Sequence, residues 1–272
     1  MNILKILEHL SDQELLSQKG SRRESFDHLK TMGKNLAIAS IPFGLAATSS
    51  KTRAASMSMA YAPQMATPTE ILNFALKLEY LERNFYQIGL DTAGLIPEED
   101  KIVFAQIAKH ETSHVDFLLS ALGNDAEPEP TFDFTGGSLN LDTFSNYQTY
   151  MALAQGFEDT GVRAYKGQAG ALIDDSALLT YALQIHSVEA QHASQVRRMR
   201  GEKGWIIKSE NTLPAAFSAI YGGATPESNT TQGGVNLSGM FGSNGGDNAV
   251  TASFDEPLTM QEVLDIASIF IA

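Results

Sequence analysis

The chain repeats one pattern of polar residues, and this repeat constrains its fold more than any other feature. In each half a lone glutamate is followed seven residues later by a tyrosine and then by a Glu-x-x-His pair. The pair begins 32 residues after the lone glutamate in the first half and 31 residues after it in the second. The residues are Glu79, Tyr86, Glu111 and His114, then Glu158, Tyr165, Glu189 and His192. Four carboxylates and two imidazoles are the ligand set of a two-metal carboxylate site in a four-helix bundle.

The spacings have physical reasons. Residues three apart lie on one face of a helix, so each Glu-x-x-His pair can hold one metal ion. A gap of 31 or 32 residues fits one helix to its end, a short turn, and a return to the same height. Each lone glutamate then faces the pair on the following helix. Tyr86 and Tyr165 lie two turns beyond the lone glutamates, where a phenol can reach the site and hydrogen-bond to its ligands.

Composition narrows the classes of protein and of partner. The 272 residues are 43% hydrophobic, which is enough for a sizeable core in one or two domains. The net charge of −13 argues against a nucleic-acid partner, because phosphate binding needs a basic patch, and it suits attraction of cations. The absence of cysteine excludes disulfides, thiolate catalysis and Fe–S clusters. Oxygen and imidazole ligands suit Fe or Mn, and also Zn.

The first 66 residues differ in character from the rest of the chain. Arg22 and Arg23 precede an apolar run at 36–47 and a small-residue stretch, which resembles a twin-arginine export signal. The pattern is imperfect, because Phe26 is displaced by one residue and Pro42 interrupts the apolar run. We expect a periplasmic or exported protein. The alternative is a cytoplasmic protein whose N-terminal helical arm packs on a partner.

Helical periodicity and end signals predict four long helices. They are expected at about 68–92, 98–122, 142–170 and 174–201. Thr67, Pro68 and Glu70 mark the first start, and Asp142 is expected to cap the third helix. Residues 123–142, rich in Asp, Glu, Pro and Gly, predict one long crossover with a short strand as an option at 131–135. Three glycines in the third helix are expected to admit a neighbouring helix closely: Gly156, Gly161 and Gly167.

The last part of the chain, residues 202–272, predicts an extension of the bundle. Residues 222–251 are rich in Gly, Asn, Ser and Thr and predict a long loop. The segment 259–271 predicts a short amphipathic helix, with Thr259 as N-cap and Glu262 three residues later. Its apolar face is expected to dock on the bundle or on a neighbouring subunit.

Other polar residues compete weakly for a place in the site. Glu82 shares the face of Glu79 and is either a ligand or a solvated neighbour. The tyrosine spacing favours Glu79, because the position that matches Glu82 in the second half is Gly161. The remaining candidates are expected outside the ligand set, with both aspartates on the helix surface: His110, His186, Asp116 and Asp159.

Four motifs together resemble the ferritin-like superfamily. They are Leu78-Glu79-Tyr80-Leu81-Glu82, Glu111-Thr-Ser-His114, Gly156-Phe157-Glu158-Asp159-Thr160-Gly161 and Glu189-Ala-Gln-His192. The resemblance is strongest to a bacterial ferritin-like-domain branch that is similar to plant desiccation-related proteins. It implies an all-α fold, in which a four-helix bundle at 67–201 has a long crossover between its second and third helices. An N-terminal arm at 1–66 and a Gly-rich extension at 202–272 flank this bundle.

The same resemblance implies a centre of two Fe ions, or alternatively Mn. Its six ligands would be Glu79, Glu111, His114, Glu158, Glu189 and His192. The primary hypothesis is metal-dependent redox activity on Fe(II), O2 or peroxide, in which Glu111 and Glu189 bridge the ions. The main alternative is a non-catalytic stress or desiccation-related protein whose metals only stabilise the bundle. A storage-cage subunit and a radical-generating or hydroxylating enzyme also stay open, and a homo-oligomer is expected as an option.

Overall fold

Four long helices form close to their predicted positions. The computed structural model describes residues 66–272, so the predicted export signal lies outside the described residues. The helices are α1 (Pro68–Asp91), α2 (Lys101–Leu122), α3 (Tyr147–Ala169) and α4 (Ser176–Met199). Thr67 and Glu70 form a reciprocal capping box at the start of α1, and Asp175 caps α4. Among residues 66–272, no helix combines the length and apolar character needed to cross a bilayer.

The predicted cap of the third helix is wrong by four residues. Asn146, not Asp142, is the N-cap of α3, and its side chain accepts a hydrogen bond from the backbone N–H of Gln148 at 3.0 Å. The Asp142 carboxylate instead accepts hydrogen bonds from Asn146 at 2.9 Å and Thr149 at 2.5 Å. Two residues with good capping side chains lie four apart here, and the turn between them delays the helix.

The helices pair as two hairpins joined by a long crossover. α1 packs against α2, and α3 packs against α4. The end of α2 lies beside the start of α1, where the Asn73 amide donates to the Asp125 carbonyl at 2.9 Å. The start of α3 lies at the other end of α1, where the Tyr150 ring packs against Gly89. The connection at 123–146 therefore travels the length of the bundle, as the sequence predicts.

The crossover also pairs with the end of the chain. Phe132 forms an isolated antiparallel bridge with Ile271, and the Asp133 N–H donates to the Phe270 carbonyl at 2.8 Å. In place of the optional strand at 131–135, the crossover therefore forms a single bridge. Its partner lies about 140 residues away in sequence, a pairing that local sequence patterns do not reveal.

The C-terminal extension carries more structure than the predicted loop. Within 222–251 it contains β1 (Thr231–Gln232) paired antiparallel with β2 (Val235–Asn236), and the helix α5 (Gly246–Thr251). The hairpin turn places Gly233 and Gly234 at φ of +57° and +80°, the left-handed conformation that a tight two-residue turn requires. The predicted terminal helix forms as α6 (Met260–Ala267), with the Thr259–Glu262 capping box. Its buried face packs on α3, so the option of docking on the bundle is the correct one.

A buried arginine ties this extension to the bundle. Arg163 on α3 is 0% exposed, and its Nε lies 2.9 Å from Oε1 of Glu227, which is also fully buried as a side chain. Its guanidinium also donates to backbone carbonyls of the extension, those of Ile220, Gly222, Thr225, Glu256 and Pro257. In return, the Leu258 N–H donates to the Arg163 carbonyl at 3.1 Å. Hydrogen bonds in both directions thus hold the extension against α3.

Two of the three glycines on α3 admit the extension and not a neighbouring helix, whereas Gly161 faces side chains of the neighbouring helices as expected. A Cβ added at Gly167 would lie 1.9 Å from the Leu258 carbonyl oxygen, and one at Gly156 would lie 3.2 Å from Cδ1 of Ile220. Leu258 and Ile220 both belong to the extension. Only glycine at position 167 lets the backbone of the extension approach α3 this closely.

Gly167→Ala should therefore destabilise the protein by about 1–3 kcal/mol, because Leu258, which is buried and hydrogen-bonded to the Arg163 carbonyl, must move. Gly170→Ala is the matched control, since a Cβ there meets nothing within 4 Å and the backbone is already helical. That control should be neutral or stabilising by up to about 1 kcal/mol. Denaturant unfolding of the two variants measures the difference, and equal stability would contradict the close approach.

Candidate metal centre

All six predicted ligands meet in the middle of the bundle. α1 contributes Glu79, α2 contributes Glu111 and His114, α3 contributes Glu158, and α4 contributes Glu189 and His192. The four glutamates are 0% exposed, and the two histidines are buried as well. Caps and antiparallel packing set the heights of the helices, and the i, i+3 spacing aims each glutamate and histidine pair inward.

One half of the site surrounds His114. Its Nδ1 lies 3.1 Å from Oε2 of Glu79, 3.1 Å from Oε2 of Glu111 and 3.2 Å from Oε1 of Glu189. One ligand atom from each of these four residues lies within 4.8 Å of the others. A single cation can therefore contact all four residues.

The other half surrounds His192. Its Nδ1 lies 2.9 Å from Oε1 of Glu111 and 3.2 Å from Oε2 of Glu158. Together with Glu189 these residues form a second group whose ligand atoms also lie within 4.8 Å of one another. The two groups overlap in Glu111 and Glu189, so the same two carboxylates face both histidines.

The tyrosines reach the site, but each one serves the opposite half of the chain. The Tyr86 hydroxyl donates to Oε1 of Glu158, and the Tyr165 hydroxyl donates to Oε1 of Glu79. Both phenols are buried, and burial together with the carboxylate charge raises the pKa of Tyr86 and Tyr165 well above the usual range. Each tyrosine therefore stays protonated and holds one carboxylate oxygen in place.

Burial makes the charge of this cluster costly. It raises the pKa of Glu111 to about 7 and, with repulsion from Glu111 and Glu79, holds the pKa of Glu189 well above its usual range. Burial opposes the charged form of His192, but the carboxylates of Glu158 and Glu111 outweigh it and raise its pKa to about 11. The cluster therefore has surplus negative charge that protons or other cations must compensate.

Several buried atoms in the cluster have no hydrogen-bond partner. They are Oε1 of Glu111, Oε2 of Glu158, both carboxylate oxygens of Glu189, and Nδ1 of His192. The His192 nitrogen is close to two of these oxygens, yet the angles do not suit hydrogen bonds. Unpartnered buried oxygens are expensive, and hard or borderline cations prefer oxygen and imidazole ligands. The donor set thus fits metal ions, and the chain has the features of a metal–carboxylate protein.

Glu82 is a buried member of this neighbourhood and not a solvated residue. It is 3% exposed, and burial and repulsion by Glu189 hold its pKa well above the usual range. It belongs to neither ligand group. The glycine at the matching position of the second half makes room for it, because a Cβ at Gly161 would lie 3.3 Å from Oε1 of Glu82 and 3.1 Å from Oε2 of Glu189. In the sequence, its position three residues after Glu79 indicates that it lies on the same helix face, near the site.

The expectation that Asp159 lies on the helix surface is wrong. It is 2% exposed and not a surface residue, and its Oδ1 accepts a hydrogen bond from Nε of Arg197 at 2.9 Å. Its Oδ2 accepts another from the Tyr221 hydroxyl at 2.7 Å. The expectation fails because the extension covers the face of α3 that would otherwise meet solvent. Asp116 is exposed as expected, and His186 is half-buried outside both ligand groups.

Comparison with known proteins agrees with this architecture. No curated protein matches the chain in a sequence search. Residues 67–202 match the family model described as a ferritin-like domain, and this range covers the four helices and all six clustered residues. The match spans half of the 272 residues. The chain therefore belongs to the ferritin-like domain family.

Proposed function

We propose that the protein binds two Fe ions, or alternatively two Mn ions, and performs redox chemistry on Fe(II), O2 or peroxide. The observation that carries this proposal is the pair of overlapping ligand groups that share Glu111 and Glu189. In the proposal these two carboxylates would be ligands of both ions. His114 and Glu79 would complete the ligands of one ion, and His192 and Glu158 those of the other.

The charges of the site support two divalent ions. Four ionised carboxylates balance two divalent cations when both imidazoles are neutral, and each imidazole must be neutral at the nitrogen that binds a metal. When bound, Fe or Mn supplies one-electron chemistry toward O2 or peroxide. Tyr86 and Tyr165 orient the Glu158 and Glu79 carboxylates by hydrogen bonds from the side away from the histidines.

Buried aromatic residues pack beside the site. Phe85, Phe104 and Tyr150 form a fully buried aromatic cluster next to Tyr86. These rings fill the core beside Tyr86. Small reactants such as O2 or peroxide suit a site whose ligands are buried, which supports the choice of reactants.

A second candidate function rests on the same electrostatics. The unpartnered carboxylates repel one another in the metal-free protein, so bound ions would also join the four helices. This stabilisation alone would account for the site in a non-catalytic protein. The two candidates differ in what happens when O2 or peroxide is added to the metal-loaded protein.

Metal analysis followed by an oxidation assay tests the proposal. We expect metal-free protein to take up about two Fe(II) or Mn(II) ions per chain under anaerobic conditions. Adding O2 or peroxide should then oxidise bound Fe(II) with matching consumption of the oxidant. Uptake of about two ions without faster oxidation than in free solution would favour the stabilising role. No uptake of either ion would overturn both candidates.

A further inference from the structure

His110 lies immediately before Glu111 on α2 and contacts the ligand histidine of the other hairpin. Its Nδ1 lies 2.8 Å from Nε2 of His192, and the two rings are nearly parallel, with centroids 5.1 Å apart. The opposite ring nitrogen of His110 lies 2.8 Å from the side-chain amide of Gln106, which is exposed. Three side chains thus run from the buried cluster to the surface.

The metal-facing atom of His192 determines where its hydrogen must be. Its Nδ1 faces Glu111 and Glu158, so an ion bound in that group would contact Nδ1. A neutral ring that binds a cation through Nδ1 carries its hydrogen on Nε2. The only ring arrangement that then satisfies the 2.8 Å contact has Nε2–H of His192 donating to Nδ1 of His110.

The hydrogen on the ring of His110 is placed by the same contact, and it points toward the surface. An acceptor at Nδ1 requires that His110 carry its own hydrogen on Nε2. That hydrogen needs an acceptor. The structure places the amide nitrogen of Gln106 2.8 Å from Nε2 of His110, and a 180° turn of the amide puts its oxygen there instead. With the amide turned, the chain of donors in the metal-bound site has one direction, from His192 to His110 to Gln106.

The two ligand histidines differ in whether a side chain contacts the ring nitrogen that points away from the carboxylates. The position that matches His110 in the second half is Val188, which precedes Glu189 and offers no acceptor. Within residues 66–272, the hydrogen bonds of His114 involve its Nδ1 alone. Only the imidazole of His192 is oriented by a second side chain on the face away from the carboxylates.

We propose that His110 is a positioning residue that fixes the tautomer and ring orientation of His192 and so sets the affinity of one of the two metal positions. This inference rests on the proposed metal binding and adds the asymmetry between the two positions. Loss of a partner that orients a ligand histidine lowers metal affinity by about 10–100-fold. The effect should fall on the His192 position and spare the His114 position.

Metal titration of variants of the full chain tests the proposal. His110→Leu keeps comparable volume but removes the acceptor, whereas His110→Asn keeps an acceptor near the place of Nδ1. Mn(II) binding is measured by competition with a chromophoric chelator, and electron paramagnetic resonance distinguishes coupled pairs from single ions. We expect His110→Leu to bind one ion as the wild type does and the other about 10–100-fold more weakly, with loss of the coupled spectrum. His110→Asn should restore most of the weakened affinity.

Control measurements distinguish loss of the positioning role from loss of the fold and from absence of metal binding. Val188→Leu changes the matching position of the other half and should leave both affinities unchanged. Circular dichroism of the metal-free variants checks the fold. Equal weakening of both ions in His110→Leu, no weakening, or no recovery in His110→Asn would overturn the positioning role while leaving metal binding established by the wild type. Absence of uptake by the wild type would overturn the proposed function itself.

Discussion

Replacement of Glu189 by glutamine should remove at least one of the two metal ions and leave the fold intact. Glu189 faces both histidines and belongs to both ligand groups, so its loss affects each metal position. Glutamine has nearly the same shape but no charge and is a much poorer ligand for hard cations. Metal content per chain, measured after anaerobic reconstitution with Fe(II) or Mn(II), should fall from about two to one or fewer.

The metal-free variant provides an internal check on this result. Burial and repulsion by Glu111 and Glu79 raise the pKa of Glu189, so its ionised form destabilises the folded state at neutral pH. The metal-free variant should therefore melt at the same temperature as the wild type or above it. The wild type should gain about 2.7 kcal/mol for each bound ion at a metal concentration of 100 times its Kd, and the variant much less.

The matched control for this substitution is Asp116→Asn on α2. Asp116 is an exposed carboxylate two residues after His114, so its neutralisation changes net charge by the same amount outside the site. It should bind metal as the wild type does. Unchanged metal content in the Glu189 variant would count decisively against the proposed ligands.

Replacement of Arg163 by methionine should lower the free energy of unfolding by about 3–5 kcal/mol. The substitution leaves the Glu227 carboxylate buried without its cation and removes the donors to five backbone carbonyls of the extension. Methionine fills similar volume, so the effect isolates the lost charge and hydrogen bonds. Denaturant unfolding followed by circular dichroism measures it.

Two further variants test the cause. Arg163→Met with Glu227→Leu should recover part of the loss, because no unpaired charge then stays buried. Arg198→Met, on an exposed arginine of α4, should change stability by less than about 0.5 kcal/mol. A loss below about 1 kcal/mol in the single Arg163 variant would show that the extension is held mainly by its apolar contacts.

Local signals explain how much of this molecule the sequence predicts. The capping box at Thr67, the N-cap at Asp175 and the glycine at position 123 each act within a few residues, so the helix ends near them are predictable. The convergence of the six clustered residues is also predictable. It depends only on the i, i+3 spacing and on a gap that matches one helical hairpin.

Long-range pairing explains what the sequence does not reveal. Asp159 and Arg197 lie on different helices and resemble solvated charges until the extension is placed over them. Arg163 binds carbonyl groups, which every residue carries, so nothing in the sequence marks its partners. The contact of His110 with His192 depends on ring positions across two helices, and helical angle alone placed His110 outside the site.

The exchange of tyrosines between the halves has a consequence for the order of folding. Each hairpin is assembled from residues that are near in sequence, so the two hairpins can form early and independently. Neither hairpin alone has both a lone glutamate and the phenol that orients it, because Tyr86 serves Glu158 and Tyr165 serves Glu79. The centre is therefore completed only when the hairpins dock, after the crossover has been synthesised and has closed along the bundle. Each hairpin brings three of the six clustered residues, so the full set forms only at docking, and uptake of the proposed metal pair would report this final assembly step.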